Sequence, residues 1–407
     1  GGEETSRYYY QFYNTKELYN PHVKWETTIT RNLAVDFGFF RERLSGSLEF
    51  YWNTVKDLLL SSTIPGYTGY THLMENVGQT SNRGVELSLT GYIMDRPDFT
   101  LNATFNIGRN KNKIDKLASG EKEMVLSSGW AGSQLLNSDD YRAYVGGTTG
   151  LIYGFVNDGF YTVDDFKPFD SKSRTLKDGV VNSSPLSGDP RPGNAKFKKL
   201  TPVDENSANP YTLTDDDRTV IGNTTPKFSG GFGLNATFKG FDVSAFFNFM
   251  YDFDVFNANK VMMTTWASNN YNNFSMDISA AKRWRNFDDM GNEIRYSPEI
   301  LAEFNKNATM WNPTSIGRPI AMSYAVEDGS FLRLNTATIG YTLPRAWTNK
   351  VGLSRVRFYA SGYNLFTITG YSGYDPEVDI ATGLTPNIDN NRYPRSRTYT
   401  FGVQLTF

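Results

Sequence analysis

Thr398-Tyr399-Thr400-Phe401-Gly402-Val403-Gln404-Leu405-Thr406-Phe407 ends the chain, and its alternation decides the fold. Tyr399, Phe401, Val403, Leu405 and Phe407 occupy one phase; threonines, Gly402 and Gln404 occupy the other. Successive strand side chains point to opposite faces, so period two puts every apolar group on one side. A tilted strand of about ten residues also matches the hydrocarbon thickness of a bilayer. The stretch predicts a strand at 397–407 standing between an apolar medium and an aqueous one.

Working back toward the N-terminus, the same pattern recurs. In 226–238, Phe228, Phe232, Leu234, Ala236 and Phe238 alternate with Ser229, Gly231, Gly233, Asn235 and Thr237. In 241–251 an aromatic-rich phase faces Asp242, Ser244 and Asn248, less tidily at Phe246 and Met250. Strands are also predicted near 28–39, 43–55, 84–93 and 99–107. Two more, near 331–343 and 356–366, alternate less cleanly, and a phase slip at Asn335 predicts a bulge. The reading gives nine strands.

Their connections fall into two kinds that alternate without exception. Phe40–Glu42, Asp95–Asp98, Lys239–Gly240 and Pro344–Gly352 are short; 58–82, 111–225, 255–328 and 368–394 are long. Outer-membrane barrels have tight periplasmic turns and long extracellular loops. Loops this long are expected to carry structure of their own. Ile278–Asn305 reads as short helices, and Gly150–Tyr161 as a hairpin or strand pair. Bacterial single-chain barrels have even strand counts, and lipid cannot satisfy an open sheet edge. Nine strands therefore predict a C-terminal piece of a larger barrel, with 27–407 forming its wall and loops. Residues 1–26 read as the tail of a preceding loop. No secretory leader precedes Gly1, so either it has been removed or the chain is a segment.

Composition is compatible with this but does not decide it. There are 41 basic and 43 acidic residues and no cysteine, so neither a basic nucleic-acid surface nor a disulfide framework is indicated. Mean hydropathy is -0.48. No run of 18 apolar residues could form a membrane helix. A β-barrel remains open, since only alternate residues need face lipid. The 25 Tyr and 29 Phe would suit aromatic girdles, or a large soluble β-protein equally well.

Several segments, in order along the chain, resemble the C-terminal part of the SusC-like (SusC/RagA-type) TonB-dependent outer-membrane transporters. Asn20-Pro21-His22-Val23-Lys24-Trp25-Glu26-Thr27-Thr28 opens the first strand. Asp36-Phe37-Gly38-Phe39-Phe40 precedes Arg43-Leu44-Ser45-Gly46-Ser47. Asn76-Val77-Gly78 stands with Asn82-Arg83-Gly84-Val85-Glu86, and Asp217-Arg218-Thr219-Val220-Ile221-Gly222 with Pro226-Lys227-Phe228. Phe331-Leu332-Arg333-Leu334, Gly340-Tyr341-Thr342-Leu343-Pro344, Asn364-Leu365-Phe366-Thr367, Gly373-Tyr374-Asp375-Pro376-Glu377 and Tyr393-Pro394 follow. The resemblance implies a barrel of about 22 strands around a plug domain that lies outside this chain. It also implies a SusD-like surface lipoprotein as lid, the TonB complex as energy source, and an oligosaccharide or peptide cargo. The last strand, with Tyr399, Phe401, Val403, Leu405 and Phe407, looks like the signal read by the barrel-insertion machinery.

The candidate sites are few. His22 and His72 are the only histidines, so no metal centre or catalytic triad can be built on them. No phosphate loop, cofactor motif or enzyme site is indicated. Family members often carry an Asn-Gly-Asp-Gly-type stretch before the Asp-Arg-Thr-Val-Ile-Gly motif. Here 203–211 lacks those glycines, and Asp215, Asp216 and Asp217 read as a solvated acidic loop. Trp130, Trp266, Tyr271, Trp284 and Trp311 fall in long loops and could contact a ligand or a lid; each could equally pack a loop mini-core. Asp36, Glu49, Glu86, Asn102, Asp242 and Asn248 lie on polar strand phases and are expected to face the lumen, against plug, water or substrate.

Three functions fit such a wall: active import energised by TonB, a passive pore, and a surface adhesin or scaffold. Loops too long for a simple pore, together with the motif series, favour import.

Overall fold

The computed structural model describes residues 17–64, 70, 72–117, 121–137, 139–169, 174–265, 274–378 and 383–407. Nine antiparallel staves lie side by side in chain order within one sheet. They are β1 (Thr27–Ile29 and Asn32–Phe39), β2 (Leu44–Thr63), β3 (His72–Arg96) and β4 (Phe99–Lys116). Then come β5 (Phe228–Phe238), β6 (Phe241–Tyr251), β7 (Phe331–Thr342), β8 (Arg355–Thr369) and β9 (Thr398–Thr406). Among the described residues β1 and β9 pair on one side only, so the sheet has two free edges within this chain.

Register turns sequence alternation into rows across the wall. Leu101, Ala236, Val243, Ile339, Ala360 and Phe401 stand opposite one another on one face. One residue further on, Asn102, Asn235, Ser244, Thr338, Ser361 and Thr400 form a row on the other. The apolar row has no cover in this chain: Val243 is 46% exposed, Ile339 53% and Phe401 80%. At the short-turn end Phe99, Phe238, Phe241, Tyr341 and Phe358 form an aromatic band across five staves. The Phe241 and Tyr341 rings lie 4.5 Å apart. Lys239 and Gly240, both at positive φ, close β5 onto β6 in two residues, as a tight hairpin requires.

Register also slips at Asn335 on both sides of β7: Leu334 and Thr336 pair with Phe247 and Phe246 on β6 and with Phe366 and Tyr363 on β8, and Asn335 has no partner in either register. Other boundaries differ from the sequence reading. β1 is interrupted at Thr30 and Arg31. β2 and β3 run on as a hairpin through most of 58–82, leaving only 64–71 as the connection. Asp57, at φ 60°, is skipped in the pairing, and the register shifts twice between Lys56 and Leu59. The faces therefore change phase, and the alternation that marks a strand is lost. β4 likewise continues to Lys116. Gly150–Tyr161 is not a hairpin: Leu151–Gly154 pairs with 141–144 and 219–223, whereas Asn157–Phe160 pairs with Ala195–Phe197. Within Ile278–Asn305 the α-helix is Pro298–Phe304, and a 3-10 turn, Met276–Ile278, ends at its first residue.

The hydrophobic core sits in the long connections, not in the sheet. Tyr141, Phe155, Phe197, Phe256, Trp311, Ile320, Met322 and Ile388, drawn from all three of these connections, bury one another in a single cluster. The loops thus fold together as a cap.

Candidate functional site

Two small sheets frame the cap. One pairs Thr219–Asn223, Leu151–Gly154, Tyr141–Tyr144 and Glu123–Leu126, all from the first long loop. The other joins Val326–Asp328 and Asp254–Asn257 of the second loop to Ile388–Asp389 of the third. First and second loops meet where the Phe155 amide donates to the Ala321 carbonyl at 2.9 Å. A Cβ on Gly154 would lie 2.2 Å from that carbonyl oxygen, so this approach needs glycine. The third loop is tied to the first by Asn387, whose Nδ2 donates to the Thr224 carbonyl at 3.1 Å, and by the Tyr141 hydroxyl on the Pro386 carbonyl.

The cap is clamped to the wall by charge. Arg333 on β7, 2% exposed, donates to Asp375 of the third loop at 2.6 and 3.2 Å and stands 3.4 Å from Glu377. Arg395 in turn reaches Glu377 at 3.0 Å. Burial would raise the Asp375 carboxyl, but the Arg333 hydrogen bonds hold it below its ordinary value. For Glu377 burial prevails over its two arginines and the value is raised. Two segments that carry the family resemblance, 331–334 and 373–377, are therefore halves of one ion cluster. The signal available in sequence was an arginine flanked by Phe331, Leu332 and Leu334 at the start of a strand.

Asp217 corrects the reading of 215–217 as a solvated acidic loop. Asp215 and Asp216 are exposed, but Asp217 is fully buried. Its carboxylate accepts from the amides of Leu200, Thr201 and Thr214 at 2.8–2.9 Å and from the Thr201 hydroxyl at 2.7 Å, with Lys199 Nζ at 3.3 Å. Burial alone would raise this group; the hydrogen bonds, led by Thr201, hold it at about 2. It staples the turn before the Thr219–Asn223 strand.

The candidate tryptophans separate. Trp311 is 1% exposed, donates Nε1–H to the Thr264 carbonyl at 3.3 Å, and packs edge-on against Tyr324. It is core, so its candidacy as a ligand contact is withdrawn. Trp130 packs against Phe256 at the margin of the same cluster. Trp284 is 3% exposed and forms the floor of a cleft. Trp266 and Tyr271 lie outside the described residues.

The polar candidates are wall residues. Asp36, on β1, faces Ser47, and its row continues through Ser88, Asn106, Gly231, Asn248 and Arg333. Glu49 and Glu86 face each other across β2 and β3, and Glu49 accepts from Asn32. Asn102 accepts from Asn235 at 3.0 Å. Arg357 on β8 reaches across β7 to Asp242 on β6 at 2.8 Å, passing over Gly340.

One uncovered apolar face, an aromatic band, short turns at one end and a folded cap at the other are what a stretch of outer-membrane β-barrel wall presents. The family "TonB dependent receptor-like, beta-barrel" matches residues 3–215, and the chain belongs to it. It is 31% identical over 394 residues to TonB-dependent receptor P3 of Formosa agariphila, covering 95% of this chain and 35% of that protein. It is 26% identical over 406 residues to TonB-dependent receptor SusC of Bacteroides thetaiotaomicron, covering 97% and 34%. The RagAB peptide importer in its open-open state matches with a TM-score of 0.66 at 25% identity, over 95% of this chain and 35% of that one. The chain thus spans about a third of the length of these relatives. The family is one of outer-membrane transporters, not enzymes.

Proposed function

We propose that this chain forms the C-terminal wall and much of the extracellular cap of an active, TonB-energised importer of oligosaccharides or peptides, working with a SusD-like lipoprotein. The observation that carries the reading is the cap itself. Three loops share one core and are clamped to the polar face through Arg333. A passive pore needs no such folded superstructure above its mouth, whereas a barrel that captures cargo before passing it inward does. In this reading the apolar rows meet lipid, and Asp36, Glu49, Glu86, Asn102, Asp242 and Asn248 line a lumen filled by a plug supplied from outside this chain. The relative described as a peptide importer supports import as the activity, and peptide as one of the two cargo classes.

The test is uptake. Cells carrying the full-length transporter should accumulate a labelled cargo only while TonB is present, and the purified protein should show no steady conductance in a planar bilayer. An open, ohmic pore, or uptake that persists without TonB, would overturn the proposal in favour of a passive channel.

A further inference from the structure

The cap holds a cleft of about 950 Å³ between the turn at 187–194, the segment 274–295 and the turn at 312–317. Four arginines line it, against two aspartates. Their engagements differ. Arg285 is paired with Asp289 at 2.7 Å and lies over the Phe304 ring; Arg295 is paired with Glu293 and lies over Phe287. Among the described residues Arg191 has only Asp189 at 3.9 Å, and the Arg283 guanidinium donates only to the Ile278 carbonyl at 3.2 Å. Asp288 forms no ion pair with them among the described residues; its carboxylate accepts from Met290 and Asn292 of its own turn. Two guanidinium groups thus keep unused donors on the same cleft.

Positive charge is in excess around it. Arg174, immediately behind, is held below its ordinary value first by burial and then by the Arg191 charge, with Arg295 adding to the repulsion. Its Nε has no hydrogen-bond partner among the described residues. At the floor, the buried Trp284 Nε1–H also has no acceptor there. Buried donors without partners are costly, and of these two only Trp284 belongs to a residue that lines the cleft. Above the floor Phe287 is half exposed, and the Asn286 carboxamide beside it lines the opening.

We propose that this cleft is a binding subsite for an acidic oligosaccharide, with Arg191 and Arg283 receiving a carboxylate or sulfate group. Guanidinium forks match planar or tetrahedral oxyanions. Amide and hydroxyl groups between them suit sugar hydroxyls, and the Phe287 face suits a pyranose ring. Extended peptides commonly bind by adding a strand to an open sheet edge. No lining residue belongs to a β-strand, and only Arg283 and Phe287 form isolated bridges, so the lining offers no such edge. The proposal rests on the import reading, since it names the cargo class.

Calorimetric titration of the full-length transporter in detergent tests it, with four hexameric probes: galacturonan, sulfated carrageenan, neutral maltohexaose and polyglutamate. At least one acidic glycan should bind, more weakly as salt rises. The variant R191Q/R283Q should lose about tenfold or more in affinity. R191K/R283K, which keeps charge but not the forks, should fall between. Both variants must retain the heat resistance of the folded barrel. Preference for the uronate or for the sulfated probe identifies which oxyanion is read, and either supports the site. The proposal is overturned if no acidic glycan binds, if maltohexaose binds equally well, if polyglutamate binds more tightly than both glycans, or if R191Q/R283Q leaves the affinity unchanged. Binding in detergent needs no TonB, so failure of energised uptake would sink the import reading while leaving this result standing.

Discussion

Asp217 gathers three backbone amides and three side chains onto one carboxylate, so its charge state controls a turn of the cap. Its ordinary value is 3.8 and its folded value about 2. A depressed carboxyl contributes stability that is fully present above the unfolded value and is lost as pH falls through the folded one. The contribution is on the order of 2 kcal/mol at neutral pH. Limited proteolysis of the folded transporter should therefore show segment 195–218 becoming labile between about pH 4 and pH 2. In Asp217→Asn that segment should be labile already at pH 7 and insensitive to acid in the same window. Gly340 is a second residue at a close approach, under the Arg357–Asp242 ion pair. A Cβ there would lie 2.5 Å from Arg357 Nη2 and 2.6 Å from Asp242 Oδ1. Gly340→Ala should cost about 1–3 kcal/mol, read as a lower temperature for loss of gel heat resistance. Adding the substitution to an Arg357→Ala/Asp242→Ala background should cost far less, because both clashing groups are then gone.

The third long loop is held at the scale of elements. Arg333 serves Asp375 and Glu377 together, and removing one member of a buried ion cluster leaves its partners charged and unpaired. Arg333→Ala should destabilise the docking of 370–378 and 387–389 by about 3–5 kcal/mol. Hydrogen exchange should accelerate there while β5 and β6 stay protected; unchanged exchange in the loop would show that the core alone holds it. The sequence was legible to the extent that each element separates two solvents. β5, β6 and β9 alternate because their opposite faces meet different media, and their bounds were predicted within two residues. Beyond Lys56 and Gly84 the same hairpin continues without a consistent phase, so 58–82 read as a loop. The cap was illegible for a related reason. Phe155, Trp311 and Ile388 share a core across the whole length of the chain, with no period connecting them. The ion cluster was half legible: both segments stood out, but nothing in their spacing showed that they meet.

At the scale of the whole molecule, the wall makes a claim about its surroundings. Leu234 is 43% exposed and Phe401 80% exposed in this chain, as much as many surface lysines would be, yet both sit in continuous apolar rows. A soluble protein would leave such rows to water or cover them with a second layer. An outer-membrane wall leaves them to lipid. The chain has no cysteine, so in a full-length protein whose other part is also cysteine-free, single cysteines can report on each position. In intact outer membranes, Leu234→Cys and Val243→Cys should resist a charged, water-soluble maleimide and react with an apolar one. Tyr374→Cys, in the cap at 85% exposure, should react readily with the charged reagent from outside the cell. Asn235→Cys, one residue from Leu234 but on the opposite face, should react with neither reagent from the lipid side. It should become accessible to the charged reagent only when the lumen is emptied of its plug. If Leu234→Cys and Asn235→Cys still label alike with the charged maleimide once the plug has been removed, the two faces do not meet different media. The alternation from which the wall was read would then have another cause.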